Sequence, residues 1–413
     1  MKRSILVMLS LVLMVTLLLA ACAPAATETP TEPAAAQPTE PVAEVTEPPA
    51  EEPTEAAAAP TEPAEEPTEA AGEPQEFVEL SAGWVAAIDQ VALPVAVEQG
   101  FFEEEGLEVN LSGPYPTGVD ELNALQSGEI QFAQAGVPTI GAIVQGMDLV
   151  YLGNYTGSAA QSGIDETMAI VAAEGSGIEE GDLSTLAGKQ VGAAVGSISH
   201  LYLLGVLEDA GLTETDVEII NTSPPDMPVA LQTGGVDAIA IWDPWPVVAL
   251  NTVPNSYQVI RGGGFISFIG YIAAERSWVE ENPDVVVRFL RARAKADQWM
   301  RENPQEAAEI AVRWLPGMEQ VVAEEAMQYN IRQLDPRFSA CNYLAVDTSQ
   351  QLLADLGTLS GQIDPQAVFE PQYILQVMEE NPELFADLTE IPEAAQLTEG
   401  YTYDAAAAAE ACQ

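Results

Sequence analysis

Residues 23–76 are built almost wholly from Ala, Pro, Thr and Glu, with fourteen Glu and no Lys, Arg or aromatic residue before Phe77. Such a segment cannot bury enough apolar surface to offset its chain entropy, so it is expected to stay disordered. Proline stiffens it and like charges extend it, which makes it a spacer. The fold of this 413-residue chain is therefore confined to residues 77–413. That stretch has room for one large or two ordinary domains.

What precedes the spacer gives it a purpose. Lys2 and Arg3 open a short basic segment, and an apolar run from Ile5 to Leu19 follows. A charged start, a hydrophobic core and small residues at the cut make a secretory signal. The run falls short of the ~20 apolar residues of a membrane span. Its end, Leu19-Ala20-Ala21-Cys22, resembles the bacterial lipobox, which implies that signal removal leaves Cys22 as a lipid-modified N-terminus. The other reading is an ordinary signal peptide with an incidental cysteine. A lipid followed by a long spacer is a tether. Residues 1–22 are thus read as a lipoprotein signal, 23–76 as linker, and the body as extracytoplasmic, lipid-anchored to the outer face of the cell membrane.

Fifty acidic and eleven basic residues lie in the body, a formal charge of about −39. That field argues against nucleic acid or anionic membrane surfaces as partners, so the lipid is the only membrane contact expected. Between Phe77 and Gly188 there is no basic residue; Lys189 is the first and Arg261 the second. An anion held by the first half must rely on neutral donors. His200 is the single histidine and Cys22, Cys341 and Cys412 are the cysteines, so no His-rich or Cys-rich metal site and no cofactor is expected. With Cys22 lipidated, Cys341 and Cys412 are an even pair in an oxidising compartment. A disulfide tying the C-terminal tail to the body is expected, two free thiols being the alternative.

From Phe77 onward, short apolar runs alternate with amphipathic stretches. The pattern predicts strands at 77–80, 107–111, 130–135, 149–152 and 168–172, with helices at 91–99, from the Thr117 cap to 126, and at 139–144. A second set has strands at 190–195, 217–220, 236–241, 257–260 and 266–273, with helices at 200–210 and 227–233. Gly262-Gly263-Gly264 interrupts it. Beyond Ser277 the pattern is nearly all helical, at 285–300, 304–314, 321–333, 352–359 and 372–379, and the tail after Pro392 is expected to be loosely ordered. This β-α-β-α rhythm implies an α/β fold of parallel sheets covered by helices. Two successive units imply two lobes: 77–170 opening lobe I, 171–265 forming lobe II, and 266–413 returning to lobe I with the C-terminal helices. Ligands of such sheets bind beyond the strands' carboxyl ends, where loops feed helix N-termini, and lobe closure is a hinge motion.

Several segments in order carry a resemblance. They are Ala92–Phe102 with Gly106-Leu107-Glu108-Val109, Leu125-Gln126-Ser127-Gly128-Glu129-Ile130, Ala135-Gly136-Val137-Pro138, and Leu149-Val150-Tyr151. Leu186-Ala187-Gly188-Lys189-Gln190-Val191-Gly192, Gly196-Ser197-Ile198-Ser199-His200, and Val236-Asp237-Ala238 leading to Trp242-Asp243-Pro244 complete it. Together they resemble the solute-binding proteins of bacterial importers for taurine, alkanesulfonates and nitrate, over roughly residues 80–300. The resemblance implies a two-lobed periplasmic-binding fold of type II kind with a helical C-terminal region. It implies a monomeric receptor, not an enzyme, that hands a small sulfonate-type solute to an ABC permease driven by a cytoplasmic ATPase. Nitrate, an amino acid or a pyrimidine-like solute is the alternative cargo. An enzyme on the same scaffold is a further one, with His200 near Ser197 or Ser199 its only candidate constellation.

Each candidate contact has two readings. Gly136, Val137, Pro138 and Thr139 place proline where a helix begins, so the first N–H groups can hold a sulfonate, or they form a plain strand-to-helix turn. Gly196 with Ser197, Ser199 and His200 repeats the arrangement, as an anion cup or as a simple helix cap. His200 is either a ligand donor or a structural hydrogen-bonder. Trp242 can cover an alkyl chain, while Asp243 either neutralises an ammonium group or caps the next helix. Trp84 is a facing wall or core. Arg261 is an anion partner or a surface strand-end residue.

Overall fold

The computed structural model describes residues 77–412 apart from 269, 356 and 399; the expected signal, linker and lipidated Cys22 lie outside the described residues. Strand β1 (Val78–Val85) pairs in parallel with β2 (Leu107–Tyr115), from Val78 opposite Leu107 to Val85 opposite Tyr115. β1 runs five residues past its expected end because Ala82, Trp84 and Val85 are all buried there. A bridge from Ala82 to Phe132 links β1 to β3 (Ala133–Ala135). β3 then lies beside β10 (Gly270–Glu275), which runs antiparallel to it and to β4 (Leu149–Thr156).

The second sheet follows the same plan. β6 (Gln190–Ala193) pairs in parallel with β7 (Glu218–Asn221) and with β8 (Ala238–Trp242). β5 (Met168–Ala172) runs antiparallel to β8 and to the edge strand β9 (Tyr257–Arg261). The two orders, 2-1-3-10-4 and 7-6-8-5-9, match strand for strand. In both, the fourth strand is supplied across a crossover, so the chain passes between sheets twice. The first crossing precedes Met168, and the expected boundary at 170/171 cuts through β5, which belongs wholly to the second sheet. The second lies between Arg261 and Gly270, and of the expected strand 266–273 only residues 270–273 fall in β10, which continues to Glu275. Gly262, Gly263 and Gly264 all have positive φ, a backbone only glycine adopts freely. Asp165 on the first crossing accepts from the Gly264 and Phe265 N–H groups at 2.8 and 2.9 Å, which staples the crossings together.

The C-terminal region is helical, at Pro283–Glu302, Pro304–Trp314, Gln320–Asn330, Ala340–Asp355 and Gln372–Glu380. The helix Ala340–Asp355 starts twelve residues before its expected beginning at 352. Its first turns are buried almost all round, so they carry no amphipathic period to read. The core of the first lobe is aromatic, with Phe132 stacked on Phe289 at 3.9 Å and Phe369 stacked on Tyr343 at 4.1 Å. The tail is not loose. Asp404 caps the helix Ala405–Ala411, Ala408 is buried, and Cys412 is disulfide-bonded to Cys341.

Candidate functional site

The loop after β1 reaches the second sheet. Trp245 donates its indole N–H to the Ala86 carbonyl at 3.0 Å, and the Ile88 N–H donates to the Asp243 carbonyl at 3.3 Å. Beside these contacts lies a small, partly open cavity. One side is formed by Ala87, Asp89, Gln90, Gln134, Gly136, Val137, Pro138 and Tyr155 of the first lobe. Ser197, Ile198 and Trp242 of the second lobe face them, with Phe268 from the returning crossover. Of the residues singled out from sequence, Gly136, Val137, Pro138, Ser197 and Trp242 are thus brought together here.

The other candidates are placed elsewhere, and each has a job that explains why. Trp84 is fully buried in the core, edge-on to Trp314 at 6.1 Å. Thr139 is buried behind the lining, its hydroxyl 2.6 Å from the Gly136 carbonyl and 2.7 Å from the Tyr151 hydroxyl. Ser199 donates to the Ala240 carbonyl at 2.6 Å and accepts from the Ala194 N–H at 3.2 Å, so it ties its helix (Ile198–Asp209) to β8. His200 accepts from the Gly196 N–H at 3.4 Å through Nδ1 and lines a surface groove that shares Val137 and Pro138 with the cavity. Burial holds its pKa below the usual imidazole value, against the pull of Glu214. Asp243 is buried behind Trp242, gripped by Arg261 at 2.9 and 3.1 Å and by Asn330 at 3.2 Å. Burial pushes its carboxyl up to about 7 despite Arg261. Arg261 also lies over the Tyr329 ring at 3.9 Å, so the structure gives it a partner that neither sequence reading named.

Most helix-start amides are used internally. Thr139 and Ile140 donate to the Gly136 and Val137 carbonyls, and Ser199 donates to the Ser197 hydroxyl. Val195 and Gly196 donate to Asn221 and His200. The N–H groups of Val137 and Ile198 have no acceptor among the described residues. Both residues line the cavity, one from each lobe.

Gln90 and Gln134 brace the first-lobe wall. Gln90 donates to the Gln134 carbonyl at 2.8 Å, and Arg293 donates to the Gln134 side chain at 3.1 Å and to the Tyr155 carbonyl at 3.2 Å. Asp89 stands beside them, 5% exposed. Burial raises its pKa to about 7; the Thr156 hydroxyl and Arg293 pull it down, and Asp243 pushes it up. Sequence reasoning passed over Asp89, Gln90, Gln134, Tyr155 and Phe268. The readable signal was Asp89-Gln90, a polar pair interrupting the apolar run from Trp84 to Val97. Tyr155 reaches the cavity from the end of β4 and Phe268 from the returning crossover, and neither has a local signature.

Two matched sheets with a cavity at their junction define a two-lobed binding fold of the periplasmic-binding kind. The solved alkanesulfonate-binding protein SsuA from Xanthomonas axonopodis pv. citri, bound to MOPS, has that fold with a TM-score of 0.62. That match is at 23% identity and covers 71% of this chain and 98% of that one. A family model described as NMT1/THI5 like matches residues 88–307, and the chain belongs to that family. Its relatives include a putative aliphatic sulfonates-binding protein of Bacillus subtilis (strain 168), 29% identical over 225 residues, or 53% of this chain and 64% of that protein. Its counterpart in Escherichia coli (strain K12) is 33% identical over 196 residues, 47% of this chain and 58% of that protein. The match therefore spans about three fifths of these relatives' length.

Proposed function

We propose that the protein is a lipid-anchored extracytoplasmic receptor that captures a small sulfonate-type solute, taurine included, and delivers it to an ABC permease. What supports this is that Val137 from one lobe and Ile198 from the other line one cavity, each with a helix-start N–H that has no acceptor among the described residues. A sulfonate has three acceptor oxygens and can be held from both lobes at once, so binding and lobe closure are the same event. The family and the names of its relatives support the same class of cargo. Trp242, Tyr155 and Phe268 supply the apolar remainder of the lining.

The cavity lining holds no His or Cys, and the Ser197 hydroxyl donates to the Ala194 carbonyl at 2.7 Å, so the serine–histidine constellation considered from the sequence is not assembled at this cavity.

The test is a thermal-shift screen of the full-length chain with taurine, alkanesulfonates, nitrate, sulfate, amino acids and pyrimidines. A solute that binds only the folded state stabilises by about 2.7 kcal/mol at a hundredfold excess over Kd. Stabilisation by a sulfonate, lost in Trp242→Ala, supports the reading. Stabilisation by pyrimidines or amino acids alone keeps the receptor and removes the sulfonate.

A further inference from the structure

The buried charges of the described chain balance with one exception on the cavity. Arg293 pairs with Asp297, Arg337 with Asp335 at 2.8 Å, and Arg261 with Asp243 at 2.9 Å. Asp165 is satisfied by backbone N–H groups. Glu121 lies off the cavity, where burial pushes it up to about 8, so it is a neutral acid near pH 7. Asp89 remains. It is buried, makes no ion pair, and lines the cavity. Arg293 acts on it only through space, because its guanidinium donates to Gln134, Asp297 and Tyr155.

The rest of the lining adds no compensating cation. It contains no Lys, Arg or His, while Tyr155, Trp242 and Phe268 present aromatic rings to the same space. A carboxylate among aromatic faces suits a protonated nitrogen, through a charge-assisted hydrogen bond and the quadrupoles of the rings. A simple anion meets the opposite: a like charge in a site with few donors.

We propose that Asp89 is the counter-charge for a protonated nitrogen on the bound solute, so that the receptor selects an ammonium-bearing zwitterion or cation over a simple anion. This rests on the receptor reading above and narrows it. With an aminosulfonate the two ends separate: sulfonate oxygens take the Val137 and Ile198 amides, and the ammonium takes Asp89. In the empty cavity Asp89 is poised to carry a proton, and the arriving cation displaces it. Binding of such a solute therefore releases a proton near neutral pH, a signature that a neutral ligand lacks.

The experiment is calorimetric titration of the full-length chain and of Asp89→Asn at pH 7.5. Three probes are compared: taurine, 2-hydroxyethanesulfonate, which replaces only the ammonium with a hydroxyl, and 2-aminoethanol. The expected result is taurine binding about tenfold or more tighter than 2-hydroxyethanesulfonate in the natural chain, with that preference erased in Asp89→Asn. Equal binding of the two sulfonates, or a preference that survives Asp89→Asn, overturns the role of Asp89 and leaves the sulfonate receptor standing. Binding of 2-aminoethanol alone, dependent on Asp89, upholds Asp89 and removes the sulfonate. Silence from all three probes overturns both. Should Asp89→Asn fail to fold, the ratio of the two sulfonates on the natural chain decides.

Discussion

Replacing Arg261 with Met tests whether Asp243 is structural. Arg261→Met removes the guanidinium that reaches both Asp243 oxygens, at 2.9 and 3.1 Å, and leaves a fully buried carboxylate with Asn330 as its remaining side-chain donor. Breaking one side of a buried pair costs about 3–5 kcal/mol, since the orphaned charge stays out of water. A body of about 340 residues gains roughly 0.7 kcal/mol/K of entropy on unfolding, so Tm falls by about 4–7 °C. The double variant Arg261→Met, Asp243→Asn removes the orphaned charge and recovers most of that loss. Its residual deficit is about 1 kcal/mol from the lost contact with the Tyr329 ring. The assay is thermal unfolding of the four proteins of this cycle at pH 7.5, followed by circular dichroism. A double variant as unstable as Arg261→Met refutes the reasoning, as does a single variant within 1 kcal/mol of the natural chain. Asp243 would then have to be reconsidered as a solute contact.

Three further outcomes are expected. The Asp89 pKa of about 7 lies above its ordinary value near 3.8, so folding takes up a proton; that stabilisation is complete below pH 4 and lost as pH climbs through 7. Without solute, Asp89→Asn should therefore melt close to the natural chain below pH 4, above it by about 1.5 kcal/mol at pH 5 and by up to about 4 kcal/mol at pH 8; a variant relatively weaker at pH 8 contradicts this. Cys412→Ser opens a loop of 71 residues' separation and should cost about 2–4 kcal/mol in urea unfolding, with reduction of the natural chain giving the same loss. Ser199→Ala strips partners from the buried Ala194 N–H and Ala240 carbonyl and should cost about 1–3 kcal/mol, while solute affinity measured by calorimetry stays within about twofold.

The elements legible in the sequence are those whose cause is local. Thr117 and Asp120 form a reciprocal capping box, so the start of Gly118–Gln126 could be read from spacing alone. β5 and the helix Met227–Thr233 fall on their expected residues because punctuation and period agree there. What failed is governed from a distance. The first turns of Ala340–Asp355 are buried on every side, and the tail helix is held by a disulfide and a packed Ala408. The double crossover likewise depends on pairing of β5 with the later strands β8 and β9, not on any property of residues 168–172 alone.

At the site, the same division has a sharper consequence. Thr139, Ser199, His200 and Asp243 attracted notice because a polar residue at a helix start or strand end is what a ligand site needs. A buried helix start needs the same residues for itself, to satisfy its own N–H groups. The fold spends Thr139 and Ser199 on backbone groups and Asp243 on Arg261, so their chemistry is already consumed. Asp89 follows an unremarkable Ala-Ala-Ile, and only the folded chain shows that every neighbouring cation is committed elsewhere. A motif shows which residues are able to bind; charge accounting shows which are still free to. In this cavity the Val137 and Ile198 amides and the Asp89 carboxylate are among the groups left without a committed partner. A solute that satisfies all three must carry both an acceptor-rich end and a protonated nitrogen.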